Sequence, residues 1–200
     1  MLNDYKVWLA AVAVGLTIFA YIPYLRGIYS GVTKPHLYTW AVWTLTTLIA
    51  AVIQIAKGGA AGSWSTFVAA LLCFWITCLS VQRGSKDIRR VDRYFLIASL
   101  AAVPLWIVLK DPTWSAILLT GIELVASFPT LRKSWLHPEQ EVPITWGINA
   151  IRFSLSIAAL GAYSIATTAY PAGMVLMNGL ICIEVLIRGK ILKKTKTAIF

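Results

Sequence analysis

Ionisable and amide side chains are scarce inside the apolar stretches of this chain, and those present fall at helical spacing. Thr145, Asn149, Arg152 and Ser156 follow at i, i+4, i+7 and i+11, which is one face of a helix. Thr120, Glu123, Ser127 and Thr130 follow at i, i+3, i+7 and i+10, another such face. A charge at the centre of a bilayer costs about 2.5–3.5 kcal/mol even on a lenient scale, so Glu123 and Arg152 should face a bundle interior and be partnered there. Two chemistries fit them. They could bind a charged solute or a proton, or they could close on each other as an ion pair that fixes helix packing. Asn149 and Asn178 would add hydrogen bonds to a bound solute, and Trp43 a flat packing surface. Asn178 fits interhelical packing equally well. Glu184 stands four residues before Arg188, the spacing of a local ion pair.

The elements that must position these groups are apolar helices. Of the 200 residues 58% are hydrophobic and only 13% charged, against about 25% charged in soluble domains. An integral membrane protein follows, with the bilayer as its first partner. Seven runs approach the roughly 20 residues a span needs: Val7–Ile28, Leu37–Ala56, Trp64–Val81, Tyr94–Leu109, Thr113–Leu131, Pro143–Tyr163 and Pro171–Ile187. Pro35, Pro112, Pro143 and Pro171 fall at or just before expected helix starts, where a missing N–H costs nothing. Asp4 ahead of the first run argues against a cleaved signal peptide.

Within this architecture the net charge of +10 does not call for nucleic acid, because the basic residues sit in loops and in the C-terminal tail. Fourteen Lys and Arg fall on the side of the loops after spans one, three, five and seven, against three on the other side. The N-terminus is therefore expected outside and the C-terminus in the cytoplasm. Trp8, Trp64 and Trp114 would form the outer aromatic belt, and Trp40, Trp135 and Trp146 the inner one. Trp43, Trp75 and Trp106 would lie deeper. Cys73, Cys78 and Cys182 form no metal or redox spacing and are expected in the core. His36 and His137 are expected on the loop surface.

The chain also repeats itself. Residues 8, 15, 20, 23, 25, 26, 39 and 40 recur unchanged 106 positions later, among them two Trp, a Pro, an Arg and a Gly in register without a gap. Such a match indicates an internal duplication. Residues 1–83 form one three-helix unit and 112–200 the other. Residues 84–111 hold a basic loop and a linker helix, which an odd-numbered unit needs if its copy is to run parallel to it. Pro23 and Pro129 repeat within their helices and are candidates for a paired hinge, or for a static kink. The second unit is the more polar, since Thr17, Trp43 and Thr46 are matched by Glu123, Asn149 and Arg152.

A three-plus-one-plus-three plan, with a Pro near the cytoplasmic end of spans one and five, resembles the PQ-loop or SWEET-like superfamily of seven-helix membrane proteins. The stretches that carry the resemblance read PYLRGIYSGVTKP and PTLRKSWLHPEQEVP, with Tyr24 and Thr130 where the family has Gln. The resemblance implies alternating access around a midplane site. It also implies a solute-contacting Asn on the third helix of each unit. Asn178 matches, while its counterpart here is Leu72, so the symmetric pair of the sugar carriers is absent.

The expectation is an all-α integral membrane protein with seven transmembrane helices in two parallel repeats. It would move a small polar solute, zwitterionic or carrying one ionised group, on Glu123, Arg152, Asn149, Asn178 and Trp43. The rival is a receptor of the same plan that binds without translocating. No HExxH, GxSxG or phosphate loop is present, and the last run holds no Lys for a retinal Schiff base. No enzyme, metal or cofactor is expected. The sequence leaves room for a homo-oligomer.

Overall fold

In lipid an apolar chain must satisfy its own backbone, and coiling does so locally. The computed structural model describes residues 4–108 and 111–199. Among these it has α1 (Asp4–Tyr29), α2 (Leu37–Ala56), α3 (Trp64–Arg83), α4 (Arg90–Val108), α5 (Pro112–Ala126), α6 (Phe128–Leu136), α7 (Pro143–Ala158) and α8 (Ile165–Ile199), with two short 3-10 turns and no strand. Because α6 continues α5 after a one-residue break, the bundle has seven rods. Leu109 and Lys110 lie outside the described residues, as do the side chains of Pro104, Trp106, Lys193, Lys194 and Lys196.

Five stretches are long and apolar enough to cross a membrane: Tyr5–Tyr29, Leu37–Ala56, Ala60–Arg83, Pro112–Leu136 and Ile165–Leu192. They make the chain a multi-pass membrane protein. The expected sixth span stops at Ala158 rather than Tyr163, and its 16 residues cover only about 24 Å. The bundle is apolar outside, and inside it buries polar side chains among apolar ones. Phe19, Val52, Leu71, Phe74 and Ile183 are exposed, while Thr17, Thr39, Thr46, Thr66 and Thr145 are buried. α1 packs on α3 and α7, α5 packs on α8 and α2, α2 pairs with α3, and α7 pairs with α8. α4, the expected linker helix, lies against α5, α2 and α6.

Local chemistry sets the element ends. Gly31 at φ 78° and Gly58 at φ 80° follow α1 and α2, in a left-handed conformation that glycine adopts without strain. The Asp111 carboxylate accepts from the Thr113 and Trp114 amides at 2.8 and 3.0 Å, and Pro112 takes the first helical position of α5. Asp92 accepts from the Arg89 amide at 2.8 Å, half of a capping box at the start of α4.

Several expectations need correction. Pro171 does not start its helix. A reciprocal cap between Ser164 and Thr167 starts α8 six residues earlier, so most of the expected Ser164–Tyr170 loop is helical. Span five is not one helix. Pro129 lacks an N–H, and at Ser127 the backbone amide and hydroxyl both return to the Glu123 carbonyl, at 3.1 and 2.7 Å, so the rod breaks there. α1, by contrast, runs through Pro23 without interruption. Arg132 and Lys133, expected in a loop, lie on α6. Trp40 and Trp146 belong to the core and not to a belt, their ring centroids 6.2 Å apart. Trp8, Trp64, Trp114 and Trp135 are exposed, and so is Trp75, which points away from the interior. His36 is fully buried, because the loop carrying it folds under α4. Cys78 is exposed on the outer face of α3, while Cys73 is buried.

Candidate functional site

Near the middle of the bundle five rods and α1 surround a small cavity. Tyr21 comes from α1, Trp43 and Thr47 from α2, Ala69 and Cys73 from α3, and Glu123 from α5. α7 adds Trp146, Arg152 and Phe153, and α8 adds Tyr170, Met174 and Asn178. The space open to the centre of a water molecule is about 20 Å³, room for roughly one water. A larger groove of about 350 Å³ opens on the outer surface. Its lining of Val14, Ile55, Trp64, Phe67 and Val68 offers no polar side chain, as suits a surface against lipid tails.

Both polar stripes turn inward. Thr145, Asn149, Arg152 and Ser156 are all buried, as are Glu123, Ser127 and Thr130. The stripes do not bring Glu123 and Arg152 together as an ion pair. Glu123 Oε1 accepts from the hydroxyls of Thr46, Thr47 (3.2 Å) and Tyr170 (3.2 Å). Tyr170 also donates to Thr47 at 2.8 Å. Glu123 Oε2 is buried without a partner. Arg152 Nε donates to Asn149 Oδ1 at 2.6 Å, and its guanidinium lies 3.7 Å from the centre of the Phe153 ring. One terminal nitrogen of Arg152 is likewise buried without a partner. Two charge-bearing groups thus line one cavity, each held on one side and open on the other. Buried polar atoms are ordinarily more than 90% satisfied; these two have no protein partner, and they belong to residues lining a space of about one water.

The five expected site residues divide by role. Glu123, Arg152, Trp43 and Asn178 line the cavity, whereas Asn149 stands behind Arg152 and orients it. Asn178 Nδ2 donates to its own helix at the Met174 carbonyl, 2.8 Å away. Trp43 Nε1 reaches the Glu123 carbonyl at 3.4 Å, just before the Ser127 break. Tyr21, Thr46, Thr47 and Tyr170 were not expected in the site. Tyr170, Met174 and Asn178 form an i, i+4, i+8 stripe that emerges only once α8 is started at Ile165. The local pair expected of Glu184 and Arg188 does not form. Ser134 donates to Glu184 at 2.6 Å, and Arg188 donates to the Trp135 carbonyl at 3.1 Å.

A second polar cluster closes one end of the bundle, the end that carries most of the Lys and Arg. Lys133 is fully buried; it donates to the Lys34 carbonyl at 2.6 Å and pairs with Glu141. The other Glu141 oxygen accepts from Trp146 Nε1 at 3.1 Å. Beside this pair, Arg132 clamps the linker. Its guanidinium donates to Asp92 at 2.6 and 3.1 Å and to Asp87 at 3.0 Å. These bonds hold the Asp87 carboxyl below the usual carboxylate range. His36 Nε2 lies 3.4 Å from Asp92. Burial pushes the His36 imidazole below its ordinary value despite that carboxylate. At the opposite end no ion pair forms among the described residues. Closure there comes from close backbone approach, with Gly62 against Leu160 and Gly161 against the Gly58 carbonyl. Lys6 adds a bond to the Leu160 carbonyl at 2.6 Å.

Compared with family models, curated proteins and solved structures, the chain matches none.

Proposed function

We propose that this chain is a seven-span membrane transporter that carries a small polar solute by alternating access. Two parallel three-helix repeats, α1–α3 and α5–α8, would move against each other around the central cavity, with α4 as the linker, as the resemblance to the PQ-loop or SWEET-like superfamily implies. The observation that carries the reading is the pair of unmet groups at one cavity, Glu123 Oε2 and the Arg152 terminal nitrogen. A closed ion pair would have consumed both. A solute with a cationic and an anionic end satisfies both at once, the cationic end at Glu123 and the anionic end at Arg152. The aromatic walls of Tyr21, Trp43 and Tyr170 suit the cationic end.

The matching helix contacts support the two-repeat plan. α1 on α3 corresponds to α5 on α8, α2 on α3 to α7 on α8, and α1 on α7 to α2 on α5. Trp40 and Trp146, 106 positions apart, face each other as residues beside a two-fold axis do. Fourteen basic residues against three favour a cytoplasmic place for the basic end. A cavity that admits about one water suits a conformation between openings.

The test is uptake into proteoliposomes of a panel of small zwitterions, with neutral sugars and single-charge solutes as comparators. The expected result is uptake of a zwitterion that Glu123→Gln and Arg152→Gln each lower about a hundredfold. Because the two groups are not paired, neither change strands the other, and thermal stability should stay within about 1 kcal/mol of the parent. Saturable binding without uptake of any solute would favour the receptor reading. Full uptake by both variants would remove the site.

A further inference from the structure

The central site leaves the charged cluster at the basic end without a role, and besides Thr33 Oγ1 and His36 Nδ1 in the loop it leaves five buried polar atoms of the helices near that cluster without partners. They are Tyr24 Oη, Thr39 Oγ1, Trp40 Nε1, Thr130 Oγ1 and Thr145 Oγ1. Thr39, Thr130 and Thr145 occupy the first turns of α2, α6 and α7. The Tyr24 ring lies 5.2 Å from Trp40 and 5.8 Å from Trp146, ring centre to ring centre. Trp40 and Trp43 are in turn 5.3 Å apart, and Trp43 lines the central cavity. Tyr24 and Trp40 therefore lie between the cavity and the Glu141 that Trp146 bonds, and the threonines sit in helix first turns at the same end. Four of the five residues are related by the 106-residue offset, Tyr24 with Thr130 and Thr39 with Thr145.

We propose that these hydroxyls line the cytoplasmic half of the solute path and that Lys133 is the bolt that shuts it. The proposal rests on the transporter reading and on its orientation. Lys133 is placed for this work. From α6 it reaches the Lys34 carbonyl in the loop after α1 and the Glu141 carboxylate in the loop before α7, and so joins the two loops that would part in an opening. The Lys34 amide meets the Gln140 carbonyl at 3.4 Å alongside. A buried ion pair repays its desolvation poorly compared with an apolar contact. A contact that must break and re-form in each cycle tolerates that small net gain.

The bolt is single. Gly27 and Pro35 stand where the offset would place second copies of Lys133 and Glu141. A Cβ on Gly27 would lie 2.1 Å from Thr33 Oγ1, so that position cannot take a lysine without displacing the loop. Opening therefore depends on one pair.

The experiment reads access to position 145 in the full chain, using Thr145→Cys. Inside-out and right-side-out vesicles are treated with a membrane-impermeant maleimide, and labelling at that position is read by peptide mass spectrometry, so that Cys73, Cys78 and Cys182 can stay. With the bolt intact, labelling should be slow from either face. Adding Lys133→Met should speed it at least fivefold, from the cytoplasmic face alone. Lys133→Met leaves Glu141 buried and unpaired and so endangers folding; the isosteric Glu141→Gln is the second variant, with the same expected direction. Equal rates with and without Glu141→Gln in monodisperse protein would overturn the proposal, as would faster labelling from the outer face. A rate difference in a chain that moves no solute would sink the transport reading and the solute path with it, and leave Lys133 only as the closure of a pocket. Uptake without a rate difference would keep the transport reading and overturn the bolt.

Discussion

Positions 106 apart are matched in the sequence yet carry very different chemistry in the bundle. Thr17 is a satisfied hydroxyl bonded to its own helix at 2.7 Å, whereas Glu123 gathers three hydroxyls from α2 and α8. Arg26 is exposed and forms none of the ion pairs found among the described residues, whereas Arg132 holds two carboxylates of the linker. α1 passes through its proline, whereas the α5–α6 rod breaks before its own. The difference teaches that a matched position in the sequence does not fix where charge can be buried. Donors supplied from neighbouring elements do. Glu123 is tolerable because Thr46, Thr47 and Tyr170 stand opposite it, and Arg132 is ordered because α4 packs against α6 and brings Asp87 and Asp92 within reach.

The sharpest way to break this comparison is at Lys133. Replacing it with Met strands a buried Glu141, and the expected loss is about 3–5 kcal/mol in folding stability, read as a lowered midpoint of thermal unfolding in detergent. A loss under about 1 kcal/mol would mean that the buried pair holds nothing together. Next in size is the arginine pair. Arg132→Met should cost about 2 kcal/mol because it abandons Asp92 in a buried place, while Arg26→Met should stay within about 0.5 kcal/mol. Equal costs would erase the asymmetry.

The smallest expected effect is in pH. The folded His36 has a depressed affinity for protons, so the unfolded chain binds the extra proton first as pH falls below about 6.5. The stability tied to neutral His36 is thus complete above that pH and lost as pH drops through the folded value. Between pH 8 and pH 5 the unfolding midpoint should fall by about 2–4 °C more in the parent than in His36→Gln. Parallel pH profiles would show that His36 pays no such cost. Asp87, also depressed, acts in the same direction only below about pH 4, and the comparison with His36→Gln cancels the groups common to both proteins.

Much of the fold was legible because hydropathy and helical periodicity report what a backbone must do in lipid. The inward faces through Glu123 and Arg152 were read from i+3, i+4 and i+7 spacing alone. The lack of a bond between them was not, since spacing places a side chain on a face and says nothing of height or rotation between two helices. Lys133 escaped for another reason. Charges near helix ends are usually solvated, and its partner Glu141 is eight residues away, a separation with no meaning within one helix. Trp40 and Trp146 were misplaced because interfacial and core tryptophans look alike in a sequence. Tyr170 was hidden by a proline that reads as a start signal but stands inside α8.

The length of α8 has a mechanical side. Its 35 residues make a rod of about 52 Å, well beyond the roughly 30 Å of a hydrocarbon core. Pro171 removes one backbone bond near one end, so the rod bends there more easily than elsewhere. From Pro171 to Ile199 the arm is about 42 Å, and a tilt of about 10° at the proline would swing the far tip by about 7 Å. Tyr170, the residue before that proline, bonds Glu123 at 3.2 Å. A tilt at that proline would thus move the group that bonds Glu123 and the basic tip of the helix together, the tip several times further.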